Sequence, residues 1–279
     1  MRSSSRGQVD PFIVMDVMEA ARAAEAAGRR IIHMEVGQPG TPAPAGARAA
    51  LARAMDTDAL GYTVSLGLPE LRARIAAMYR TRHGIDLDPA RVIVTAGSSG
   101  AFLLAFTALF EAGDRVAMGD PGYPSYRQIL KALSLEPVGI ETHAQHRFQP
   151  VPEQIPPDVQ GLIVASPANP TGTMLDRAHL GALIEAAAVR GTTFVSDEIY
   201  HGIEYDRPAI SALQMSDEVI VINSFSKYYS MTGWRVGWMV VPAEMVRVIE
   251  RLSQNMFICA PHAAQVAAFA AMDCEEELQ

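Results

Sequence analysis

The chain has 279 residues, of which 49% are hydrophobic and 19% charged, and its formal net charge is −8. A chain of this length can bury a large core and exceeds the size of one simple domain, so we expect one large domain and part of a second. The acidic charge and the lack of a Lys/Arg-rich block argue against nucleic acid or an anionic membrane as partner. Small molecules are the expected ligands.

The two cysteines, Cys259 and Cys274, form no CxxC pair and have no histidine near them at metal-ligand spacing. The sequence therefore predicts neither a disulfide framework nor a metal site, and reduced thiols fit a cytoplasmic protein. Apolar runs are too short to span a bilayer, and the N-terminus lacks the cleavage-site pattern of a signal peptide. We expect a soluble protein.

The N-terminal part of the chain contains three predicted elements. A helical pattern runs from Val14 to Ala27, and a short apolar run from Ile31 to Met34 predicts a strand. The Gly/Pro-rich stretch from Gly37 to Pro44 is typical of a connector or a lid.

From residue 92 onward, short β-branched runs alternate with longer Ala/Leu-rich amphipathic stretches. This alternation is typical of parallel strands connected by crossover helices, in a doubly wound or similarly layered α/β sheet. The predicted strands are Val92–Thr95, Arg115–Met118, Gly161–Ala165, Thr193–Ser196, Val219–Asn223 and Val236–Val241. The predicted helices are Ala101–Glu111, Pro124–Leu133, Asp176–Arg190 and Ala243–Met256.

Ligands of open parallel sheets bind beyond the carboxyl ends of the strands, so the residues that follow each strand are the candidates for chemistry. Gly97-Ser98-Ser99-Gly100 opens a predicted helix and indicates either a phosphate seat or an ordinary helix cap. Ser166 to Gly172 carries two prolines around Asn169, which a rigid turn alone would also explain.

Two charged residues follow the next two strands. Asp197 comes at the end of a buried strand, where its carboxylate must find a partner because desolvating it alone is costly. Lys227 follows the apolar strand Val219–Asn223 among hydroxyl and aromatic residues, with Arg235 nearby. Such surroundings favour the neutral, nucleophilic form of the lysine amine, although most lysines are solvated surface charges.

Three motifs together resemble the class I/II aminotransferases of fold type I, which depend on pyridoxal 5′-phosphate (PLP). They are Asn169-Pro-Thr-Gly, Asp197-Glu-x-Tyr200 and Ser224-x-Ser-Lys227 with Thr-Gly-Trp-Arg235. The resemblance extends over Val36-Gly37-Gln38-Pro39, Gly61-Tyr62 and Asp120-Pro-Gly-Tyr123. It implies a three-layer α/β/α large domain with a mostly parallel sheet, and transfer of an amino group between an L-amino acid and a 2-oxo acid.

The resemblance also implies roles for individual residues. Lys227 attaches covalently to the cofactor and later moves a proton. Asp197 pairs with the pyridine nitrogen, Asn169 and Tyr200 contact the phenolic oxygen, and Tyr123 stacks on the ring. The residues expected to hold the phosphate are Ser98, Ser99, Ser224, Ser226 and Arg235. Tyr62 reaches the phosphate of a neighbouring subunit in this family, which implies a homodimer, and Gly37 and Asn169 are expected to contact the substrate.

Family members continue beyond residue 279 with a smaller domain that carries an arginine for the substrate carboxylate. We therefore expect residues 1–40 to form an N-terminal segment of the small domain with the entrance loop, 41–258 the PLP-binding large domain, and 259–279 the start of an incomplete small domain. Whether the chain is a fragment or a shortened gene product stays open. Without that arginine, we expect the chain as written to bind PLP but to transaminate poorly.

Other functions stay open from the sequence. A PLP-dependent carbon–sulfur β-lyase would share the same lysine, aspartate and phosphate residues. A PLP-binding regulatory module is disfavoured because no basic helix-turn-helix segment precedes Val9. A catalytically silent chain that packs with a partner is the remaining alternative.

Overall fold

The computed structural model describes residues 1–278, in which a seven-stranded sheet lies between two layers of helices. The strands are β1 (Val92–Thr95), β2 (Arg115–Asp120), β3 (Glu136–Glu141), β4 (Gly161–Ala165), β5 (Thr193–Asp197), β6 (Ile220–Ser224) and β7 (Gly237–Val240). The helices are α1 (Ile13–Ala26), α2 (Ala45–Thr57), α3 (Pro69–His83), α4 (Gly97–Leu109), α5 (Pro124–Ala132), α6 (Arg177–Val189), α7 (Val246–Met256), α8 (His262–Ala271) and α9 (Glu275–Leu278).

The sheet is mostly parallel. Its spatial order is β1-β7-β6-β5-β4-β2-β3, and only β7 pairs antiparallel, with β1 on one side and β6 on the other. The neighbours β4, β5 and β6 run parallel, so their carboxyl ends lie at one edge of the sheet. The predicted three-layer α/β/α fold is confirmed.

Side chains alternate between the two faces of the sheet and so contribute to two separate cores. Val94, Leu162 and Val221 belong to one core, whereas their strand neighbours Ile163 and Ile222 belong to the other. The first core is completed by apolar residues of α2, α3, α6 and α8, and the second by those of α4, α5 and α7. A strand buried on both faces reads as a continuous apolar run, which is why these strands were visible in the sequence.

The bounds of most predicted helices and strands lie within two residues of the observed bounds. Three predicted elements differ by more. The predicted helix at Ala101–Glu111 begins four residues earlier, at Gly97. Ala243–Met245 forms a 3-10 turn before α7 rather than part of the helix. The strand predicted at Ile31–Met34 is wrong: Ile32 and Met34 are 77% and 89% exposed, and within residues 1–278 no strand lies beside them.

Several elements were not predicted. β3 contains Pro137 and Gly139 and lies at the edge of the sheet, where proline is tolerated but weakens the strand pattern. The helices α2, α3 and α8 were missed as well. α8 packs against α2 and places buried alanines in the first core. The predicted domain division at residue 258 stays a prediction. No helix within residues 1–278 is both long and apolar enough to cross a membrane.

Candidate active site

The carboxyl ends of β4, β5 and β6 bring the chemically interesting residues together. Asp197 is the last residue of β5 and pairs in register with Ala165 and Ile222 of the flanking strands. The chain that leaves β4 carries Asn169, and the chain that leaves β6 carries Lys227. Because the three strands are parallel neighbours, these segments meet at one edge of the sheet.

Asp197 is 4% exposed. Its Oδ2 accepts a hydrogen bond from the phenol of Tyr126, and its Oδ1 accepts one from the backbone N–H of Ile199 at 3.1 Å. Burial nevertheless raises the pKa of the carboxyl to about 6, although both hydrogen bonds and the charge of Lys227 lower it. A carboxylate that neutral donors stabilise only in part would be stabilised further by a cation beside it.

Lys227 is half-buried, and its amine faces the N-terminal loop. Nζ donates a hydrogen bond to the carbonyl oxygen of Gly37 at 2.6 Å and lies 5.7 Å from the centre of the Tyr200 ring. Burial lowers the pKa of the amine, while the charge of Asp197 opposes that shift. The amine is therefore partly desolvated, which favours the neutral, nucleophilic form, while the nearby Asp197 carboxylate limits that effect.

Asn169 and Tyr200 form a polar pair at the same edge. The amide nitrogen Nδ2 of Asn169 lies 3.2 Å from the Tyr200 hydroxyl and donates to it. Burial raises the pKa of Tyr200, and the charge of Asp197 adds to that effect. The Tyr200 hydroxyl stays protonated at neutral pH and can donate to a further oxygen acceptor.

The first turn of α4 meets the guanidinium of Arg235. Gly97 has a φ of +71°, and a Cβ there would lie 2.7 Å from Nη2 of Arg235. A Cβ on Gly237 would lie 3.1 Å from the backbone nitrogen of Ser98. The two glycines therefore allow Arg235 and the helix N-terminus, with Ser98 and Ser99, to approach closely. A guanidinium beside free backbone N–H groups favours an anion with several oxygens.

Ser224 and Ser226 lie close to this site, because Ser224 pairs in register with Gly237. Ser224 is 2% exposed, its Oγ donates to the carbonyl oxygen of Val236 at 3.1 Å, and the Ser226 Oγ lies 2.8 Å away. The backbone N–H of Ser226 also donates to the Ser224 Oγ, at 3.1 Å. These bonds hold the chain between β6 and Lys227 in a compact turn.

An aromatic wall covers the side of the site formed by α5. Tyr123 precedes α5 and meets Tyr126 edge-to-face at 5.3 Å between ring centres. Phe12 from the N-terminal arm, residues 1–12, meets Tyr123 edge-to-face at 5.9 Å between ring centres. Tyr126 was missed by sequence reasoning, yet it is the side-chain donor to Asp197. Asp197 lies 71 residues further along the chain, so no local sequence pattern indicated this contact.

Two predicted site residues, Tyr62 and Gly37, are not where their predicted roles would place them. The ring of Tyr62 is 83% exposed, so within residues 1–278 it lies outside the buried region around Asp197. The backbone carbonyl of Gly37 accepts a hydrogen bond from Lys227, whereas the contact predicted for Gly37 was with the substrate. The roles predicted for all these residues stay predictions.

The geometry agrees with what comparison with known proteins shows. The model of the family "Aminotransferase class I and II" matches residues 29–279. The valine–pyruvate aminotransferase of Mycobacterium tuberculosis is 48% identical over 279 residues, which cover 98% of this chain and 72% of that protein. The chain belongs to the class I and II aminotransferases.

Solved structures agree with this membership. A crystal structure of an aminotransferase from Mycobacterium tuberculosis has a TM-score of 0.95 at 45% identity, covering 100% of this chain and 75% of that one. The crystal structure of a protein from Silicibacter pomeroyi has a TM-score of 0.93 at 66% identity, covering 100% and 73%. The predicted family, fold and enzyme class are confirmed: this class I/II aminotransferase is a PLP-dependent transaminase.

The residues of the site fit PLP. The cofactor has an aldehyde, a pyridine nitrogen that carries a positive charge when protonated, a phenolic oxygen and a phosphate. The site offers the partly desolvated amine of Lys227, the buried carboxyl of Asp197 with its raised pKa, and the Asn169–Tyr200 donor pair. It also offers the space that Gly97 and Gly237 leave between Arg235 and the N-terminus of α4. Each group of the cofactor thus has a chemically matched partner at one edge of the sheet.

Proposed function

We propose that this aminotransferase moves an amino group between an L-amino acid and a 2-oxo acid, with Lys227 as its catalytic lysine. The observation that carries this assignment is the position of the half-buried Lys227, which follows β6 beside the buried Asp197 at the end of β5, with its Nζ 5.7 Å from the Tyr200 ring. An amine and an acid so placed can act on the two ends of one pyridine ring.

PLP, when bound, supplies a sink for the electron pair of the carbon that bears the substrate amine. The carboxylate of Asp197 would keep the ring nitrogen protonated, and pairing with that positive charge would offset the burial that raises the pKa of Asp197 to about 6. Asn169 and Tyr200 would donate to the phenolic oxygen, and Tyr123 would lie against the ring. The phosphate would be held by Arg235 and the serines Ser98, Ser99, Ser224 and Ser226.

The Lys227 amine has two tasks in this proposal. It would attach to the cofactor aldehyde before substrate arrives, and once released it would carry a proton to and from the substrate carbon. Its lowered pKa favours the neutral form that both tasks need. The Gly37 carbonyl now bonded to Nζ belongs to the N-terminal loop, so that loop would release the amine when the cofactor enters, leaving Gly37 next to the substrate.

Valine and pyruvate are the substrate pair that we propose to test first, because the relative with 48% identity is a valine–pyruvate aminotransferase. An aspartate aminotransferase from Geobacillus stearothermophilus is 33% identical, so aspartate and 2-oxoglutarate are the comparison pair. Faster conversion of PLP to its aminated form by valine than by aspartate would support valine as the amino donor.

We also propose a homodimer in which Tyr62 of one subunit contributes to the phosphate site of its partner. Its 83% exposure leaves the phenol free to do so. Sedimentation velocity should give the mass of two chains, and Tyr62→Phe should weaken PLP binding without changing that mass. A cytoplasmic location is proposed from the two free cysteines.

A lysine-specific experiment tests the central assignment. The chain contains only two lysines, Lys131 and Lys227, so Lys131→Ala is a matched control. After incubation with PLP and reduction by borohydride, peptide mass analysis should find the adduct on Lys227 in the unchanged chain and in Lys131→Ala. Lys227→Ala should carry none. A reduced adduct that persists in Lys227→Ala would overturn the assignment.

Product analysis separates transamination from its alternatives. With an amino donor, the expected products are a 2-oxo acid and aminated cofactor, whereas ammonia and pyruvate from a thioether amino acid would indicate the β-lyase. The expectation that the chain as written transaminates poorly stays a prediction. Rapid release of oxo acid in the same assay would contradict it.

A further inference from the structure

Two buried ionisable residues lie on the core side of the turn that carries Asp197 and Tyr200. Glu198 is 1% exposed and His201 is 7% exposed. Each directly follows a residue assigned to the cofactor, Asp197 or Tyr200, but Glu198 bonds to Ser196, Ser211 and Ala212 and His201 bonds to Ser166. Neither Glu198 nor His201 has a part in the site described above.

The two carboxylate oxygens of Glu198 have different surroundings. Oε1 accepts hydrogen bonds from the Ser196 hydroxyl at 3.2 Å, the Ser211 hydroxyl at 3.1 Å and the backbone N–H of Ala212 at 2.7 Å. Oε2 lies 3.5 Å from Nδ1 of His201. Within residues 1–278, Oε2 and Nδ1 are the buried side-chain atoms that have no hydrogen-bond partner.

The other ring nitrogen of His201 determines what Nδ1 can do. Nε2 lies 3.0 Å from the carbonyl oxygen of Ser166, which can only accept, so Nε2 carries a hydrogen. In a neutral imidazole Nδ1 is then an acceptor, and it faces a carboxylate oxygen that is also an acceptor. Two buried acceptors this close repel unless a proton lies between them.

We propose that Glu198 and His201 hold one proton between Oε2 and Nδ1, and that this pair is a positioning device for the cofactor site. The proton resides on Glu198, whose carboxylic acid donates to Nδ1, while Nε2–H donates to Ser166. Glu198, His201 and Ser166 thereby form a continuous chain of hydrogen bonds. The positioning role rests on the function proposed above for Asn169 and Tyr200.

The surroundings of the pair favour the neutral form. Burial raises the pKa of Glu198 to about 7 and lowers that of His201 to about 4, so both shifts oppose an ion pair. The His83 ring lies 5.5 Å from the His201 ring, and burial lowers the pKa of His83 as well. The other ionisable groups whose charges act on the cluster are Tyr79 and Arg82 of α3, Asp197 on the same turn, and Glu204.

The pair connects two segments that both carry cofactor residues. At the site end, Asn169 donates to Tyr200 at 3.2 Å. At the core end, His201 donates to Ser166 at 3.0 Å. These two side-chain hydrogen bonds join the loop after β4 to the turn after β5, next to the backbone bond from Ser166 N–H to the Asp197 carbonyl at 3.3 Å. In this proposal the His201 bond helps to set how closely Asn169 approaches Tyr200. Loss of the shared proton would leave the two acceptors Oε2 and Nδ1 facing each other, and their repulsion would weaken the link between the two segments.

The first test measures the proton in the chain without added PLP. Glu198→Gln keeps an oxygen for the three donors and supplies an amide N–H to Nδ1, so it imitates the protonated acid. Because the pKa of Glu198 is raised, its stabilising effect is present at low pH and is lost as the pH rises through about 7. The pKa rises from an ordinary 4.5 to about 7, so between pH 4.5 and 8 the melting temperature should fall less in Glu198→Gln than in the unchanged chain.

Exposed Glu185→Gln is the matched control and should follow the unchanged chain. A lower melting temperature for Glu198→Gln at every pH would overturn the shared proton, because that is the result expected for a broken ion pair. Ring ¹⁵N chemical shifts provide an independent reading. At pH 6 they should show His201 protonated on Nε2 alone, and two protonated ring nitrogens would overturn the proposal.

The second test asks whether the pair positions the cofactor residues. In His201→Gln the amide can place a nitrogen near Nε2 and keep the Ser166 bond, whereas in His201→Asn the shorter side chain reaches only as far as Nδ1. Loss of one neutral hydrogen bond corresponds to about a fivefold change in affinity, so PLP should bind about fivefold more weakly to His201→Asn than to His201→Gln. The absorbance maximum of bound PLP should shift only in His201→Asn.

Equal PLP affinities and spectra for the two His201 variants would overturn the positioning role. The outcome is separable from the proposed function, because borohydride adduct formation on Lys227 in the unchanged chain is measured in parallel. Failure of that adduct counts against Lys227, whereas the melting and ¹⁵N measurements decide the shared proton without any cofactor.

Discussion

Tyr126 donates the hydrogen of its phenol to Oδ2 of Asp197, and each of the two side chains is 4% exposed. This hydrogen bond joins α5 to the end of β5 across the floor of the site. Burial raises the pKa of Asp197 to about 6, and the Tyr126 hydrogen bond opposes that shift. Tyr126 therefore helps to keep a carboxylate charged in an environment that disfavours the charge.

We expect Tyr126→Phe to lower the free energy of unfolding of the cofactor-free chain at pH 8 by about 2 kcal/mol, because a hydrogen bond to a charged group contributes about 1.5–3 kcal/mol. At pH 4, where Asp197 is protonated, the loss should be smaller. Urea denaturation at the two pH values measures both. Tyr123→Phe is the control, since within residues 1–278 the Tyr123 hydroxyl has no hydrogen bond. Equal losses at pH 4 and pH 8 would contradict the stated role.

Asp197→Asn should have opposite effects on the empty and the cofactor-bound protein. The raised pKa of Asp197 means that its stabilising effect is present at low pH and is lost as the pH rises through about 6. Removing the ionisable group should therefore raise the melting temperature of the cofactor-free chain at pH 8, by an amount that corresponds to about 2 kcal/mol. The increase in melting temperature upon adding PLP should shrink at the same time. The proposed role would be refuted if Asp197→Asn melted at a lower temperature than the unchanged chain without PLP, and if PLP raised the melting temperature of both proteins equally.

The sequence predicted those parts of the site that depend on consecutive residues. Asp197 and Lys227 follow apolar strands that are buried on both faces, so their positions at the sheet edge followed from the strand pattern and the parallel order. Asn169 was placed correctly at this edge for the same reason. The family motifs then suggested what each residue does.

What the sequence did not show depends on packing between distant elements. Tyr126 reaches Asp197 only because α5 lies across the sheet, and the separation of 71 residues leaves no local pattern. The Glu198–His201 pair depends on how the turn after β5 distributes its side chains between site and core. Conversely, the apolar run at Ile31–Met34 predicted a strand, but it has no strand partner within residues 1–278.

The N-terminal arm contacts α5 through the side chain and backbone N–H of Asp10 and through Phe12. Oδ2 of Asp10 accepts hydrogen bonds from Gln128 at 3.1 Å and Lys131 at 3.2 Å, and Phe12 packs on Tyr123 beyond it. Because the ion pair is exposed, Asp10→Ala should leave the melting temperature unchanged. It should still release the arm, so that trypsin cleaves after Arg6 several-fold faster. Glu19→Ala, which removes an exposed ion pair within α1, is the control and should not alter cleavage.

Gly97 provides the sharpest test of the proposed phosphate site beside Arg235. A Cβ at this position would lie 2.7 Å from Nη2 of Arg235, and the φ of +71° adds backbone strain to the clash. Gly97→Ala should therefore cost about 1–2 kcal/mol of stability and should displace the guanidinium from the N-terminus of α4. Gly191→Ala separates the two effects, because Gly191 has a φ of +66° and nothing within 4 Å of its Cβ position.

The two glycine variants should differ in ligand binding. If Arg235 and α4 hold the phosphate, Gly97→Ala should weaken binding of PLP at least tenfold, which is the size expected for a lost charge-assisted hydrogen bond of about 1.5–3 kcal/mol. Pyridoxal, which lacks the phosphate, should bind both variants equally, because its ring contacts lie elsewhere in the site. Fluorescence titration of the two ligands measures these affinities. A parallel loss of pyridoxal and PLP binding in Gly97→Ala would mean that the substitution disturbs the ring site, and the phosphate would then have to be assigned to other residues.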